Sequence, residues 1–142
     1  MFLYKYTLIF IIMKVILKEK EQELLNECKK ILKANPNLKK RKINMNDLEK
    51  RLYYLKVWAE TESQPLHTLK NYEKRCFRCF RGVHLDHIYP ISAGFYNKIA
   101  PEKIGSLTNL RFIPIKDNMR KGGKITNESK KVLKKLIKKN KK

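Results

Sequence analysis

The sequence predicts an α+β protein in which helices flank one short pair of strands. Three observations predict it. Apolar residues recur every three or four positions within residues 18–34 and 48–59, the period of an amphipathic helix. Two runs rich in branched residues, VHLDHIYPI and SLTNLRFIPI, have the length and composition of strands. A lysine-dominated tail carries Val132, Leu133, Leu136 and Ile137 on one face of a further helix.

Each element follows from local chemistry. The opening MFLYKYTLIFIIMKVIL is interrupted by Lys5 and Lys14, too short an apolar run to span a bilayer, and no small-residue cleavage site follows it. It is expected to form a buried strand or helix end. Met13 is a second candidate start, which would leave the first twelve residues untranslated. From Lys18, the stripe Leu24, Leu25, Cys28, Ile31 and Leu32 builds a helix, and Asn35-Pro36 ends it because proline cannot continue the ladder. LKKRKI is a basic linker. A second helix is expected after Asn46, an N-cap residue followed by Asp47 and Glu49 in the first turn. Leu48, Leu52, Leu55 and Ala59 share one face, with Trp58 beside them.

Residues 60–82 are polar and broken. The first strand follows, then SAGFYNKIAPEK as a loop, then the second strand. KDNMRK suits a short helix, which Gly122 and Gly123 terminate. The expected divisions are an apolar segment over 1–17, a helical region over 18–64, a functional region over 65–127 and a basic tail over 128–142.

Composition constrains partners more than fold. Lys and Arg number 34 against 13 Asp and Glu, a formal charge of +21. So large a charge attracts a polyanion, although charge alone does not separate DNA from RNA, ribosome or anionic lipid. The cysteines, Cys28, Cys76 and Cys79, are odd in number, so they cannot all pair within the chain. With no secretory signal, a reducing cytoplasm is the expected setting, and reduced, partly buried thiols are the plain reading of Cys76 and Cys79.

The chemistry concentrates in HLDHIYPIS, which holds two of the three histidines, His84 and His87, around Asp86. Hydrolysis of a phosphodiester needs a base for water, a cation to offset charge on phosphorus and stabilisation of the leaving oxygen. Histidine titrates near neutrality and suits the first task. A hard divalent ion on one or two oxygen ligands suits the second, and Asp86 and Asn118 can supply those oxygens. If the strands fold back on each other with the helix across them, Asp86 and His87 on the first strand, Asn109 on the second and Asn118 on the helix meet at one end. Adjacent strand residues point to opposite faces, so Asp86 and His87 can share a site only if the strand is irregular or the ion sits at its edge. His84 would share the face of Asp86, and contacts phosphate, orients the aspartate or is simply exposed.

HLDHIYPIS, SLTNLRFIP and KDNMRKGGK together resemble the HNH endonuclease signature, in the variant whose third position is asparagine. The resemblance is closest over residues 84–124, with looser similarity to phage-borne and intron-borne members in the preceding segment, and covers roughly half the chain. It implies a ββα-metal finger that cleaves or nicks double-stranded DNA. It implies that Asp86 and Asn118 ligate one Mg²⁺ or Mn²⁺, that His87 is the general base, and that Asn109 orients the histidine and braces the loop. Arg75, Arg78, Arg81, Arg120, Lys121 and Lys124 would then lie along the phosphates, positioning the backbone without reading bases. Many members brace the finger with zinc on two CxxC pairs. Cys76-Phe-Arg-Cys79 resembles the first pair, but FIPIKD before Asn118 contains no cysteine. A four-sulfur zinc is thereby excluded within this chain, leaving a mixed site or none, and a structural zinc is not expected.

The main alternative is a basic nucleic-acid-binding protein on the same finger without activity. A ribosomal-protein-like RNA binder and a membrane-surface protein stand behind it. No membrane partner and no obligate protein partner are expected.

Overall fold

The computed structural model describes residues 2–41, 43, 45–76 and 81–138, with side chains from residue 7 onward. It is largely helical with one two-stranded antiparallel sheet, an α+β architecture. Two compact units divide the chain, Met1–Leu55 and Lys56–Lys142.

In the first unit, helix α1 spans Phe2–Ala34. Asn35 ends it as the sequence predicts, its Nδ2 donating back to the Ile31 carbonyl at 3.1 Å. The basic linker after it is a 3₁₀ helix, Pro36–Arg41, with Leu38 buried. The opening residues correct the expectation of a buried segment. They continue α1, and Leu8 to Leu17 lie exposed along it. No helix among the described residues is long and apolar enough to cross a membrane. Helix α2, Leu48–Ser63, begins in this unit and continues into the second. Its cap is Asp47 rather than Asn46, since Asp47 Oδ1 accepts the Lys50 N–H at 3.0 Å, satisfying a donor that the first turn leaves unpaired.

In the second unit, β1 covers Val83–His87. The segment expected as a loop contains two short helices, α3 at Ile91–Tyr96 and α4 at Pro101–Ile104. Pro90 precedes α3, and Pro101 opens α4, where its fixed φ and missing N–H cost nothing. Strand β2 covers Leu110–Pro114 and α5 covers Ile115–Lys121. Gly122, at φ +52°, ends α5 as predicted. The strands pair one to one, from Val83 opposite Pro114 to His87 opposite Leu110. Asn109 lies just outside β2, in a 3₁₀ turn at Leu107–Asn109, not on the strand as expected.

Helix α6 spans Asn127–Lys138. Thr126 and Ser129 cap it reciprocally, each backbone N–H donating to the other's hydroxyl at 3.0–3.1 Å. Val132 and Leu136 pack with Ile88, while Ile137, expected on the same face, is exposed. The core of this unit contains Val57, Leu66, Val83, Ile104, Leu110, Phe112 and Ile115. Gly105 admits the close approach of α4 to α2, because a Cβ there would meet the Glu60 side chain at 2.7 Å and the Val57 carbonyl at 2.8 Å.

Candidate functional site

Asn109 is the hub between the strands. It is fully buried (0% exposed), and its amide is satisfied on every side. Oδ1 accepts the Tyr89 N–H at 2.7 Å, and Nδ2 donates to the carbonyls of Tyr89 at 3.1 Å and Ile104 at 2.8 Å. Its own carbonyl accepts the Ile88 N–H at 2.8 Å. One side chain therefore ties the exit of β1 to the end of α4, where the chain leaves regular pairing and backbone groups need other partners.

Asp86 is 4% exposed and holds two cations. Arg111 Nε meets Oδ2 at 2.9 Å and Lys121 Nζ meets Oδ1 at 2.6 Å. Arg111 is the residue directly opposite Asp86 in the strand register, so pairing alone brings guanidinium and carboxylate together. Arg111 also donates to Glu128 of α6 at 2.7 Å. Burial works to lower the Arg111 pKa, but its hydrogen bonds and attraction to Asp86 and Glu128 outweigh that and hold it above the ordinary value. Lys121, 7% exposed at its side chain, donates additionally to the His87 carbonyl at 2.6 Å. The four charges sum to zero, which is what permits a carboxylate to sit this deep.

His87 turns the other way. Its ring is 6% exposed and stands edge-on to Trp58, with centroids 4.8 Å apart. Nε2 lies 2.9 Å from Thr61 Oγ1, and that oxygen lies 2.8 Å from the Val57 carbonyl. A carbonyl only accepts, so the single hydroxyl proton goes to Val57 and the oxygen accepts from His87. Nε2 therefore carries hydrogen, and in the neutral ring the basic nitrogen is Nδ1.

The strand is regular here, with unbroken register through Asp86 and His87. Of the two ways the sequence left for sharing a site, an irregular strand or an ion at its edge, the first is absent, and the two side chains reach different elements: Asp86 toward β2 and α5, His87 toward α2. What joins them is Lys121, on one carboxylate oxygen and one backbone oxygen. Asn118 lies one turn before Lys121 on α5 and is half-buried, so the two share a helix face. Asp86 Oδ1 and the His87 carbonyl converge on a cation already, the Lys121 ammonium. With the amide oxygen of Asn118, they are hard oxygen donors of the kind a divalent ion takes. Among the described residues, no three His, Cys, Asp or Glu side chains form a metal-binding group.

The remaining predicted residues are scattered. His84 is half-buried with Nε2 enclosed and unbonded, so it is not the exposed residue that the sequence offers as one alternative, and the groups that hold Asp86 are Arg111 and Lys121. Arg75 pairs with Glu62 at 3.0 Å and lies over the Phe112 ring, its guanidinium 5.7 Å from the centroid. Lys121, expected along a phosphate track, is an internal partner of Asp86. Arg120 (80% exposed), Arg81 and Lys124 face solvent. Arg78 and Cys79 lie outside the described residues. Cys76 is disulfide-bonded, which corrects the expectation of a reduced thiol there, and Cys28 is a buried thiol.

Sequence reasoning missed Thr61, Trp58, Arg111 and Glu128 as neighbours of the site. Arg111 had a usable signal, since antiparallel pairing of the two predicted strands sets a cation opposite the aspartate. Thr61 had none, because it sits in a polar stretch of a helix far along the chain. Comparison with protein-family models, curated proteins and solved structures finds no match.

Proposed function

We propose that the chain is a metal-dependent endonuclease of the HNH type, hydrolysing phosphodiester bonds of double-stranded DNA on a ββα-metal finger. The observation that carries this reading is the convergence of Asp86 Oδ1 and the His87 carbonyl on one position, filled by the Lys121 ammonium, with Asn118 one turn before Lys121 on α5. A divalent ion bound there by Asp86 and Asn118 would offset charge on the phosphate and on the leaving oxygen.

The chain's own residues do the rest. In this scheme His87 is the general base that accepts a proton from water, with its Nε2–H donating to Thr61. Thr61 and Trp58 fix the ring, so that its proton-accepting nitrogen is held in one direction. The resulting hydroxide attacks phosphorus, the P–O bond to the departing strand breaks, and the leaving oxygen takes a proton from solvent. Asn109 does not touch the reacting atoms in this scheme. It holds the turn after His87, as its three side-chain hydrogen bonds allow. Arg81, Arg120 and Lys124, exposed and cationic, bind backbone phosphates, and with a net charge of +21 the affinity falls steeply with salt.

A second reading has a specific observation behind it. Both oxygens of Asp86 already carry protein cations, as they would in a finger that binds DNA without cutting it. Supercoiled plasmid incubated with Mg²⁺, Mn²⁺ or EDTA separates the two. Nicked or linear product that requires metal and disappears in His87→Ala supports the nuclease. A salt-sensitive gel shift with intact plasmid under every metal condition supports the binder and removes the nuclease for that substrate. An RNA-preferring, metal-independent shift would remove both.

A further inference from the structure

A metal ion at Asp86 would compete with two cations already on its oxygens. Oδ2 faces Arg111 and Oδ1 faces Lys121. The two cations are not equally replaceable. Arg111 is pinned by register opposite Asp86 and shared with Glu128, so its removal would take a partner from two carboxylates. Lys121 is the last residue of α5, followed by Gly122 and Gly123, and it reaches the site on a flexible four-carbon stem. Its ammonium makes two contacts of 2.6 Å, to Asp86 Oδ1 and the His87 carbonyl. Those contacts describe a cation position more than an ordinary surface ion pair, because one of the two oxygens belongs to the backbone.

Resting on the metal-site reading above, we propose that Lys121 is the resident cation of this site: its ammonium holds the position of the divalent ion, and Lys121 must withdraw before Asp86 can ligate one. Charge supports the exchange. With Lys121 in place, Asp86, Arg111, Glu128 and Lys121 sum to zero. With it withdrawn, one negative charge remains beside two converging oxygens, and that is the electrostatic condition for taking up a cation. The protein in its resting form therefore binds divalent ions weakly, and the ammonium and the ion exclude one another.

Calorimetric titration of Mn²⁺ into the full chain tests this without reference to cleavage. The proteins are wild type, Lys121→Met, which keeps the apolar stem and removes the charge, and Asp86→Asn. Wild type should bind weakly, Lys121→Met about tenfold more tightly or better, as expected for releasing one charge-assisted hydrogen bond, and Asp86→Asn not measurably. Equal affinity in wild type and Lys121→Met, with loss in Asp86→Asn, would overturn the exclusion while leaving the metal site intact. No binding to either of the first two would overturn the metal site and the exclusion together. A measurement on wild type alone guards against misfolding of the variant. The Lys121 ammonium, enclosed by two oxygens, should give a slowly exchanging ¹⁵N–H resonance, assigned through Lys121→Arg. That resonance should vanish as Mg²⁺ is titrated to saturation, and its persistence at saturating Mg²⁺ would refute the proposal.

Discussion

Replacing Asn109 with alanine should unfold the second unit far more readily than replacing Asn118, although the sequence alone offers both as site residues. Asn109→Ala deletes three buried side-chain hydrogen bonds, to the Tyr89 N–H and to the carbonyls of Tyr89 and Ile104. Removing one side of a buried hydrogen bond costs about 1 kcal/mol at the low end, because the other side is left unpaired. The sum is about 3 kcal/mol, before any cavity. With a urea slope of about 1.5 kcal/mol/M for a unit of this size, the midpoint should fall by about 2 M. Asn118 is only half-buried and sits inside α5. Its replacement by alanine, a better helix former by about 0.5 kcal/mol, should leave the midpoint within about 0.5 M of wild type. Trp58, the single tryptophan, stands against His87 in this unit, so its fluorescence follows the transition directly. An Asn109→Ala midpoint within about 0.5 M of wild type would refute the bracing argument, and a large loss in Asn118→Ala would show that residue to be structural rather than reserved for a ligand.

Two further substitutions probe the frame around the site. Thr61→Val keeps the shape but removes the acceptor for His87 Nε2, costing about 1–3 kcal/mol. The ¹⁵N shifts of His87 should lose their Nε2–H tautomer preference and recover it in Thr61→Ser; unchanged shifts in Thr61→Val would contradict the assignment. Gly105→Ala introduces a Cβ within 2.8 Å of the Val57 carbonyl, a backbone atom that cannot rotate away. It should cost about 1–3 kcal/mol through overpacking, measured by the same urea titration, and a neutral result would mean that α4 can shift without loss.

The elements that the sequence made legible are those whose cause is local. Pro36 ends α1, Gly122 ends α5, and the spacing of Val132 and Leu136 gives α6, because capping, proline geometry and helical periodicity act within a few residues. The two strands were legible for the same reason, from branched residues bounded by turn formers. Helices α3 and α4 were not. ISAGFY and PEKI are too short to display a period, and what stabilises them is packing of Ile91, Ala93 and Ile104 into the core. The exposed course of Leu8 to Leu17 was missed because apolar composition states only a preference for burial.

By itself, the sequence determined a basic chain, an α+β order of elements, and the crowding of Asp86, His87, Asn109 and Asn118 into one stretch. Only the tertiary structure decided who their partners are. Lys121 could be read as one more surface lysine until α5 folded across β1 and set its ammonium on Asp86. His87 acquired Thr61 from a helix 26 positions earlier, and that contact fixes which ring nitrogen is basic. The physical reason is the same in both cases. Hydrogen bonds and ion pairs are settled by distances of about 3 Å, and chain separation says nothing about such distances until the core has brought the elements together.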